Sequence, residues 1–99
     1  MKHIQELIWD ISNLFASLDV PLEHNGLDYG VPYWSTKNRH YRITSDYEFQ
    51  ASETKATFDR WANSVEYAHK IKGKKSLNRL DVKNISQIIA NSETGSENT

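Results

Sequence analysis

The histidines and the carboxylates near them are the residues with which this chain could catalyse a reaction or bind a metal. They are His3, His24, His40 and His69. No two have the i, i+4 spacing that places two imidazoles on one helix face for a metal. His40 shares one face of a predicted strand with Asp46 and Glu48, a combination that could transfer protons. Because no nucleophile motif or glycine-rich phosphate loop accompanies them, we expect no enzymatic activity, no metal and no cofactor.

Aromatic and basic residues predict a surface that binds a partner. Trp34 falls on the opposite face of the predicted sheet from the other large apolar residues, next to Arg42 and His40. Tryptophan and arginine are common at the centre of protein interfaces, and this pair also permits a cation–π contact. Trp9 falls on the polar face of the predicted first helix. We therefore predict that these four residues bind another protein. The alternatives are that Trp34 belongs to the core, covered by the third helix, and that Trp9 packs under the third helix or the tail.

Lysine and arginine residues concentrate in one short stretch of an otherwise nearly neutral chain. Residues 1–50 carry four of them against seven acidic residues, whereas residues 51–91 carry eight against four. The cluster consists of Lys70, Lys72, Lys74, Lys75, Arg79 and Lys83, opposed by Asp81 alone. Such a cluster is typical of a solvated loop, and it could also contact nucleic-acid phosphates. Nucleic-acid binding is therefore the alternative function, although the acidic first half argues against a protein that coats DNA.

Composition excludes several classes of protein. Cysteine is absent, which excludes disulfide scaffolds, thiol chemistry and cysteine-ligated zinc. The N-terminal region lacks the basic and apolar runs of a secretory signal. No stretch approaches the roughly 20 apolar residues that a membrane span needs. We therefore expect a cytoplasmic protein, either a monomer or a homodimer.

Helical spacing of apolar residues predicts three helices. The first covers Lys2 to Leu18, and its apolar stripe is Ile4, Leu7, Ile8, Ile11, Leu14, Phe15 and Leu18. The second begins near Ser52 or Thr54 and ends at Gly73, with an inner face of Phe58, Trp61, Ala62, Val65 and Ala68. The third is short, about 81–91, and has Asp81 as its N-cap.

Three strands are predicted between the first two helices. They are Val20–His24, Leu27–Trp34 and Tyr41–Phe49, with Asn25-Gly26 as the first turn. A three-residue second loop, 37–39, pairs Tyr33 with Ile43 and so places the apolar residues on one face. That face is Val20, Leu22, Leu27, Tyr29, Val31, Tyr33, Tyr41, Ile43, Tyr47 and Phe49. Gly30 and Pro32 predict either a bulge in the central strand or a short first strand with partial pairing.

These patterns predict one α+β domain, residues 1–91, in the order α-β-β-β-α-α, followed by a disordered polar tail, 92–99. The predicted sheet is a three-stranded antiparallel meander with an N-terminal helix and two C-terminal helices. No motif assigns the chain to a family. Its small size, lack of cysteine and unplaced tryptophans favour a non-enzymatic protein-binding module. An inhibitor, adaptor or immunity-type accessory protein, possibly encoded by a phage or mobile element, has this profile.

Overall fold

The computed structural model describes residues 4–28, 30–52 and 64–95. Its elements are α1 (Ile4–Ser17), β1 (His24–Asp28), β2 (Val31–Ser35), β3 (His40–Ile43), β4 (Glu48–Ser52), β5 (Val65–Lys70) and α2 (Arg79–Gly95). The strands form one five-stranded antiparallel sheet whose spatial order follows the chain. The α+β class is as predicted, but the described residues form five strands and two helices instead of three strands and three helices.

The first helix matches its prediction and covers one face of the sheet. Leu7, Ile11 and Phe15 are fully buried. Two backbone hydrogen bonds close its C-terminus, from Val20 N to Phe15 O and from Asp19 N to Ala16 O. Together they form a Schellman motif, which requires a left-handed residue that Asp19 supplies with φ of 58°. Val20 then packs against the same core as the helix.

The register between β2 and β3 decides which tryptophan enters the core. Trp34 pairs with Tyr41, and Tyr33 pairs with Arg42. This register differs by one residue from the predicted pairing of Tyr33 with Ile43, and a shift of one residue exchanges the two faces of a strand. The outward placement predicted for Trp34 is therefore wrong, because its side chain is 0% exposed.

The pair Asn25-Gly26 lies within β1 and does not form the predicted turn. Asn25 pairs with Trp34, and Asp28 pairs with Val31, so the turn comes after Asp28 and includes Gly30. Gly26 has φ of 141°, a conformation that a residue with a side chain rarely adopts. This conformation explains why residue 26 is glycine although it does not lie in a turn. The predicted strand Val20–His24 is thus displaced to His24–Asp28. Pro32 lies just beyond the β2–β3 ladder, which begins at Tyr33. The missing backbone N–H of this proline therefore does not interrupt the pairing of β2 with β3.

The predicted third strand is two strands. A turn separates β3 from β4, with Tyr47 N donating to Thr44 O at 3.0 Å. Tyr47 takes a left-handed φ of 61°, unusual for a bulky residue, and this ends the alternation. Ile43 pairs with Phe49 across the turn, so both still face the core, as the pattern predicted.

The C-terminal half differs most from the prediction. Residues 65–70, predicted as the end of the second helix, form β5; the remainder of that predicted helix, 53–63, lies outside the described residues. Glu66 is the extra residue of a β-bulge, because Tyr67 pairs with Ala51 and Val65 with Ser52. The last helix, α2, begins earlier and ends later than predicted, so residues 92–95 belong to it and not to a tail. Residues 96–99 lie outside the described part.

One hydrophobic core joins both helices to the same face of the sheet. It is made of Leu7, Ile11, Phe15, Trp34, Tyr41, Ile43, Phe49, Ala51, Ile71, Ile85, Ile88 and Ile89. The Phe15 and Tyr41 rings pack edge to face at a centroid distance of 5.0 Å. Tyr41 in turn stacks on Phe49 at 5.7 Å. α1 and α2 both pack against this face. The polar residues that alternate with the core residues along the strands therefore lie on the other face of the sheet.

Candidate functional site

The outer face of the sheet contains His40 and Arg42 but not Trp34. Tyr33 takes the position beside Arg42 that Trp34 was predicted to occupy. The His24 ring lies against Tyr33 at a centroid distance of 5.2 Å. This places one tyrosine between two imidazoles and next to a guanidinium.

Hydrogen bonds within the protein engage the polar groups of this face. The Tyr33 hydroxyl is bonded to Nδ1 of His40. Arg42 Nε donates to Gln50 Oε1 at 3.0 Å, and burial lowers the pKa of its guanidinium. Gln50 donates in turn to Glu48 at 2.7 Å. Tyr33, His40 and Arg42 have further partners as well. These groups therefore stabilise the sheet before any partner arrives.

The acid–base pair considered from the sequence is not assembled. His40 pairs with Ser52 at one end of the β3–β4 hairpin. Asp46 is exposed in the turn at the other end. Because the two side chains are at opposite ends of the hairpin, they cannot share a proton. Among residues 4–28, 30–52 and 64–95, no group of three His, Asp or Glu side chains could hold a metal ion.

Trp9 is the most exposed large aromatic side chain among the described residues. It is 69% exposed and lies opposite the apolar stripe of α1, the face that the helical pattern predicted. Leu27 on β1, 54% exposed, lies in the same groove. The α1–β1 groove, as we name it, has a volume of about 640 Å³ and is lined by Gln5, Ile8, Trp9, Ser12, Asn13, Asn25, Gly26 and Leu27. Leu27 was predicted to be a core residue, so its exposure could be found only in the folded chain.

A second cavity extends the α1–β1 groove along the helix. It has a volume of about 400 Å³ and is lined by Ser12, Ala16, Asp19, Val20, Pro21, Leu22 and Asn25. Ser12 and Asn25 belong to both cavities and lie 2.8 Å apart, Oγ to Oδ1. The Ser12 hydroxyl also accepts the indole N–H of Trp34 at 3.0 Å. The buried Trp34 thus holds Ser12 in place on the floor of the α1–β1 groove, and the exposed Trp9 lies in the same groove.

The lysine cluster predicted from the sequence is an exposed loop with a defined backbone. Lys70, Lys72, Lys74, Lys75 and Arg79, which we call the basic loop, are all exposed. A Cβ added to Gly73 would lie 1.9 Å from the Ser76 carbonyl oxygen, so only glycine fits there. Leu77 N donates to the Asp10 carboxylate on α1 at 3.0 Å. The loop is therefore attached to the first helix.

Asp81 organises the basic loop from inside the protein. Its side chain is fully buried. It accepts hydrogen bonds from His69 Nε2 at 2.8 Å, Lys72 N at 2.9 Å, Gly73 N at 2.7 Å and Asn78 N at 3.1 Å. Asn78 Oδ1 accepts Asp81 N at 2.8 Å, which completes a capping box. Burial raises the pKa of the Asp81 carboxyl, but these hydrogen bonds outweigh burial and lower it below 3.8.

Asp81 was predicted as the N-cap of the last helix, and its contacts with the loop were not predicted. Asn78 is the N-cap residue, and Asp81 occupies the third helical position. An Asn-x-x-Asp spacing before an apolar run was the signal that could have found this. No local sequence pattern predicts the contacts of Asp81 with Lys72 and Gly73, because these contacts depend on where the loop folds back.

A smaller cavity of about 280 Å³ borders His69 and the outer side of α2. Its other lining residues are Ala68, Asn84, Gln87, Ile88 and Asn91. His69 is already bonded to the buried Asp81, which gives it a structural role. None of the helices in the described part of the chain has the length and apolarity to cross a membrane.

Comparisons with known proteins assign this chain to no family. No family model matches it, and no curated protein and no solved structure matches it either. Three features of the molecule bear on its function: the α1–β1 groove, the engaged outer face of the sheet, and the basic loop.

Proposed function

We propose that this chain is a non-enzymatic protein-binding module that uses the α1–β1 groove. The observation that carries the proposal is Trp9, a tryptophan 69% exposed beside a groove that also exposes Leu27. Exposed large apolar side chains that share a concave surface are typical of protein interaction sites. Tryptophan in particular is enriched among residues that dominate binding energy.

This proposal keeps the predicted class of function and changes the surface. Trp34 was predicted to bind the partner but is a core residue, and His40 and Arg42 are bonded within the protein. Trp9 is the one member of the predicted set that is both aromatic and exposed. The more specific roles of inhibitor, adaptor or immunity-type protein, the phage or mobile-element origin and the cytoplasmic location stay predictions.

The test compares proteins retained from the source cell by tagged wild-type chain and by Trp9→Ala. We expect a partner that the wild type retains and Trp9→Ala loses. Because Trp9 is mostly exposed, its truncation should change the free energy of unfolding by no more than about 0.5 kcal/mol. Tyr67→Ala is the matched control, since Tyr67 is a half-exposed aromatic residue on the opposite edge strand. Equal retention of every protein by wild type and Trp9→Ala would refute the proposal.

Nucleic-acid binding through the basic loop is the second candidate function. The five basic side chains of the basic loop are exposed, whereas the neighbouring carboxylate of Asp81 is buried and accepts four hydrogen bonds. A fixed backbone that presents several cations is suited to contact successive phosphates.

A mobility-shift titration with a random-sequence DNA duplex tests this second candidate. We expect the affinity to fall steeply between about 50 and about 200 mM salt, because phosphate contacts release counterions. The double variant Lys74→Glu, Lys75→Glu should weaken binding at every salt concentration. Lys37→Glu is the control, since Lys37 is exposed in the β2–β3 turn. Absence of a complex at the lower salt concentration would exclude the candidate.

A further inference from the structure

We propose that the partner enters the α1–β1 groove as an extended peptide that adds a strand to the free edge of β1. This inference rests on the proposed function and names the kind of partner that the groove takes. The partner segment has apolar residues at alternate positions and lysine or arginine at the end that meets Asp19 and Glu23.

The position of the groove is the first argument. Every lining residue belongs to α1 or β1, and none belongs to β2. Among the strands of the described residues, β1 is the first in the sheet order, and one of its two backbone edges pairs with none of them. The groove therefore lies on the side of β1 where another strand would add, with the exposed face of α1 as its second wall. Addition to such an edge is a common mode of peptide recognition, because backbone groups supply the hydrogen bonds.

The composition of β1 is the second argument. Gly26 lies in the middle of the strand, and a Cβ built on it meets no atom within 4 Å. The φ of Gly26 already requires glycine, and the open space beside it leaves room for the backbone of an added strand. Leu27 and Trp9 project from the two walls and provide the apolar contact for alternate side chains of an added strand. A strand as long as β1 spans about 17 Å, so a peptide of about five to seven residues fills it.

The other edge of the sheet is protected against such pairing. The bulge at Glu66 interrupts the β5 ladder, and Lys70 ends the strand with an exposed charge. Bulges and lysines are devices that keep edge strands from pairing with other chains. The ladder between β1 and β2 has no register shift. The two edges therefore differ, and β1 is the one suited to accept a strand.

Charge identifies the partner as a basic segment of a different protein. Residues 4–28 contain no lysine or arginine and five acidic residues, Glu6, Asp10, Asp19, Glu23 and Asp28. Asp19 lines the extended groove, and Glu23 is exposed directly before β1. A two-fold dimer through this surface would bring the same acidic patch from both copies together. A partner with lysine or arginine at that end instead gains attraction and faster association.

Selection from a random peptide library tests the inference. Peptides of about twelve residues, long enough to cover the strand with flanking residues, are selected on the immobilised full chain. Each is then measured against Trp9→Ala and Leu27→Ala. Leu80→Ala is the matched control, because Leu80 on α2 is 53% exposed and Leu27 is 54% exposed. We expect peptides with alternating apolar residues and a basic end, weakened about tenfold or more by Trp9→Ala and not by Leu80→Ala.

N-methylation of the selected peptides then separates strand addition from other modes. Methyl groups on alternate amides should weaken binding about tenfold or more, and those on the intervening amides about twofold or less, because only every second N–H faces β1. Asp19→Asn should weaken peptides with a basic end, and Asp46→Asn, an exposed carboxylate on a distant turn, should not.

Two results would overturn the inference in different ways. Trp9-dependent peptides with apolar residues at helical spacing, or with no alternation in their response to N-methylation, would reject strand addition and leave the proposed function intact. Selection of peptides that bind Trp9→Ala and wild type equally would reject the proposed function, and the inference with it.

Discussion

Removal of the Asp81 carboxylate should destabilise the protein more than any other change of a single acidic side chain among the described residues. Asp81→Ala removes the acceptor for one imidazole and three backbone N–H groups. It also removes half of the capping box with Asn78. Loss of a helix cap costs about 1 kcal/mol, and leaving buried donors unsatisfied costs about 1–3 kcal/mol. Because Lys72 and Asn78 are exposed residues, water can compensate part of this loss, and we expect a total of about 3 kcal/mol.

Urea unfolding followed by far-ultraviolet circular dichroism measures this loss. A domain of this size has a free energy of unfolding of roughly 5–15 kcal/mol, so about 3 kcal/mol is easily resolved. The corresponding decrease in Tm is about 12 °C or more. Asp46→Ala is the control, since this exposed carboxylate in the β3–β4 turn should contribute about 0.5 kcal/mol or less. A loss below about 1 kcal/mol for Asp81→Ala would refute the assignment of Asp81 as the organiser of the loop.

The same carboxylate predicts a pH dependence. Since folding lowers the Asp81 pKa, its stabilisation is complete above the ordinary value of 3.8 and is lost as the pH falls through the lowered folded-state pKa. The difference in urea midpoint between wild type and Asp81→Asn should therefore be constant above about pH 5 and shrink below 3.8. Comparison with Asp81→Asn removes the effect of the other carboxylates. A difference that stays constant down to about pH 2 would contradict the lowered pKa.

Two further substitutions test the core and the end of α1. Trp34→Ala should lower the free energy of unfolding by about 3–5 kcal/mol, because it leaves a cavity beside Phe15 and removes the indole donor to Ser12; an unchanged urea midpoint would place Trp34 outside the core. Asp19→Gly should raise the free energy of unfolding by about 0.5–1 kcal/mol, since glycine adopts the left-handed φ of 58° without strain; thermal unfolding checks it, and a lower Tm would refute the Schellman motif.

Several parts of the fold and of the candidate site could be predicted from the sequence. The apolar stripe of α1 has the helical period, so it located both the buried Phe15 and the exposed Trp9. Alternation placed Tyr41, Ile43 and Phe49 on the core face even though a turn divides their strand. Local charge counting located the basic loop. Each of these features depends on neighbours within one element.

The strand register and the end of the sheet could not be predicted in this way. Asn25-Gly26 has the composition of a hairpin turn, yet the pairing of Asn25 with Trp34 places it in a strand. Residues 65–70 have helical spacing of apolar residues, but pairing with β4 makes them a strand. Tertiary contacts outweigh propensities of about 1 kcal/mol or less per residue in both cases. The α1–β1 groove depends on this register, because it exposes Leu27 beside Trp9.

The sequence by itself determined that the chain is α+β, that α1 has one apolar face with Trp9 opposite it, and that its charges are divided between an acidic first half and a basic loop. Tertiary structure decided which of Tyr33 and Trp34 is buried. Both residues are aromatic and adjacent in a strand, so a one-residue change in register exchanges them, and local pattern favours neither strongly. Only packing of Trp34 against Phe15, with its N–H bonded to Ser12, selects the observed register. That selection moves the candidate binding surface from the sheet to the groove beside α1.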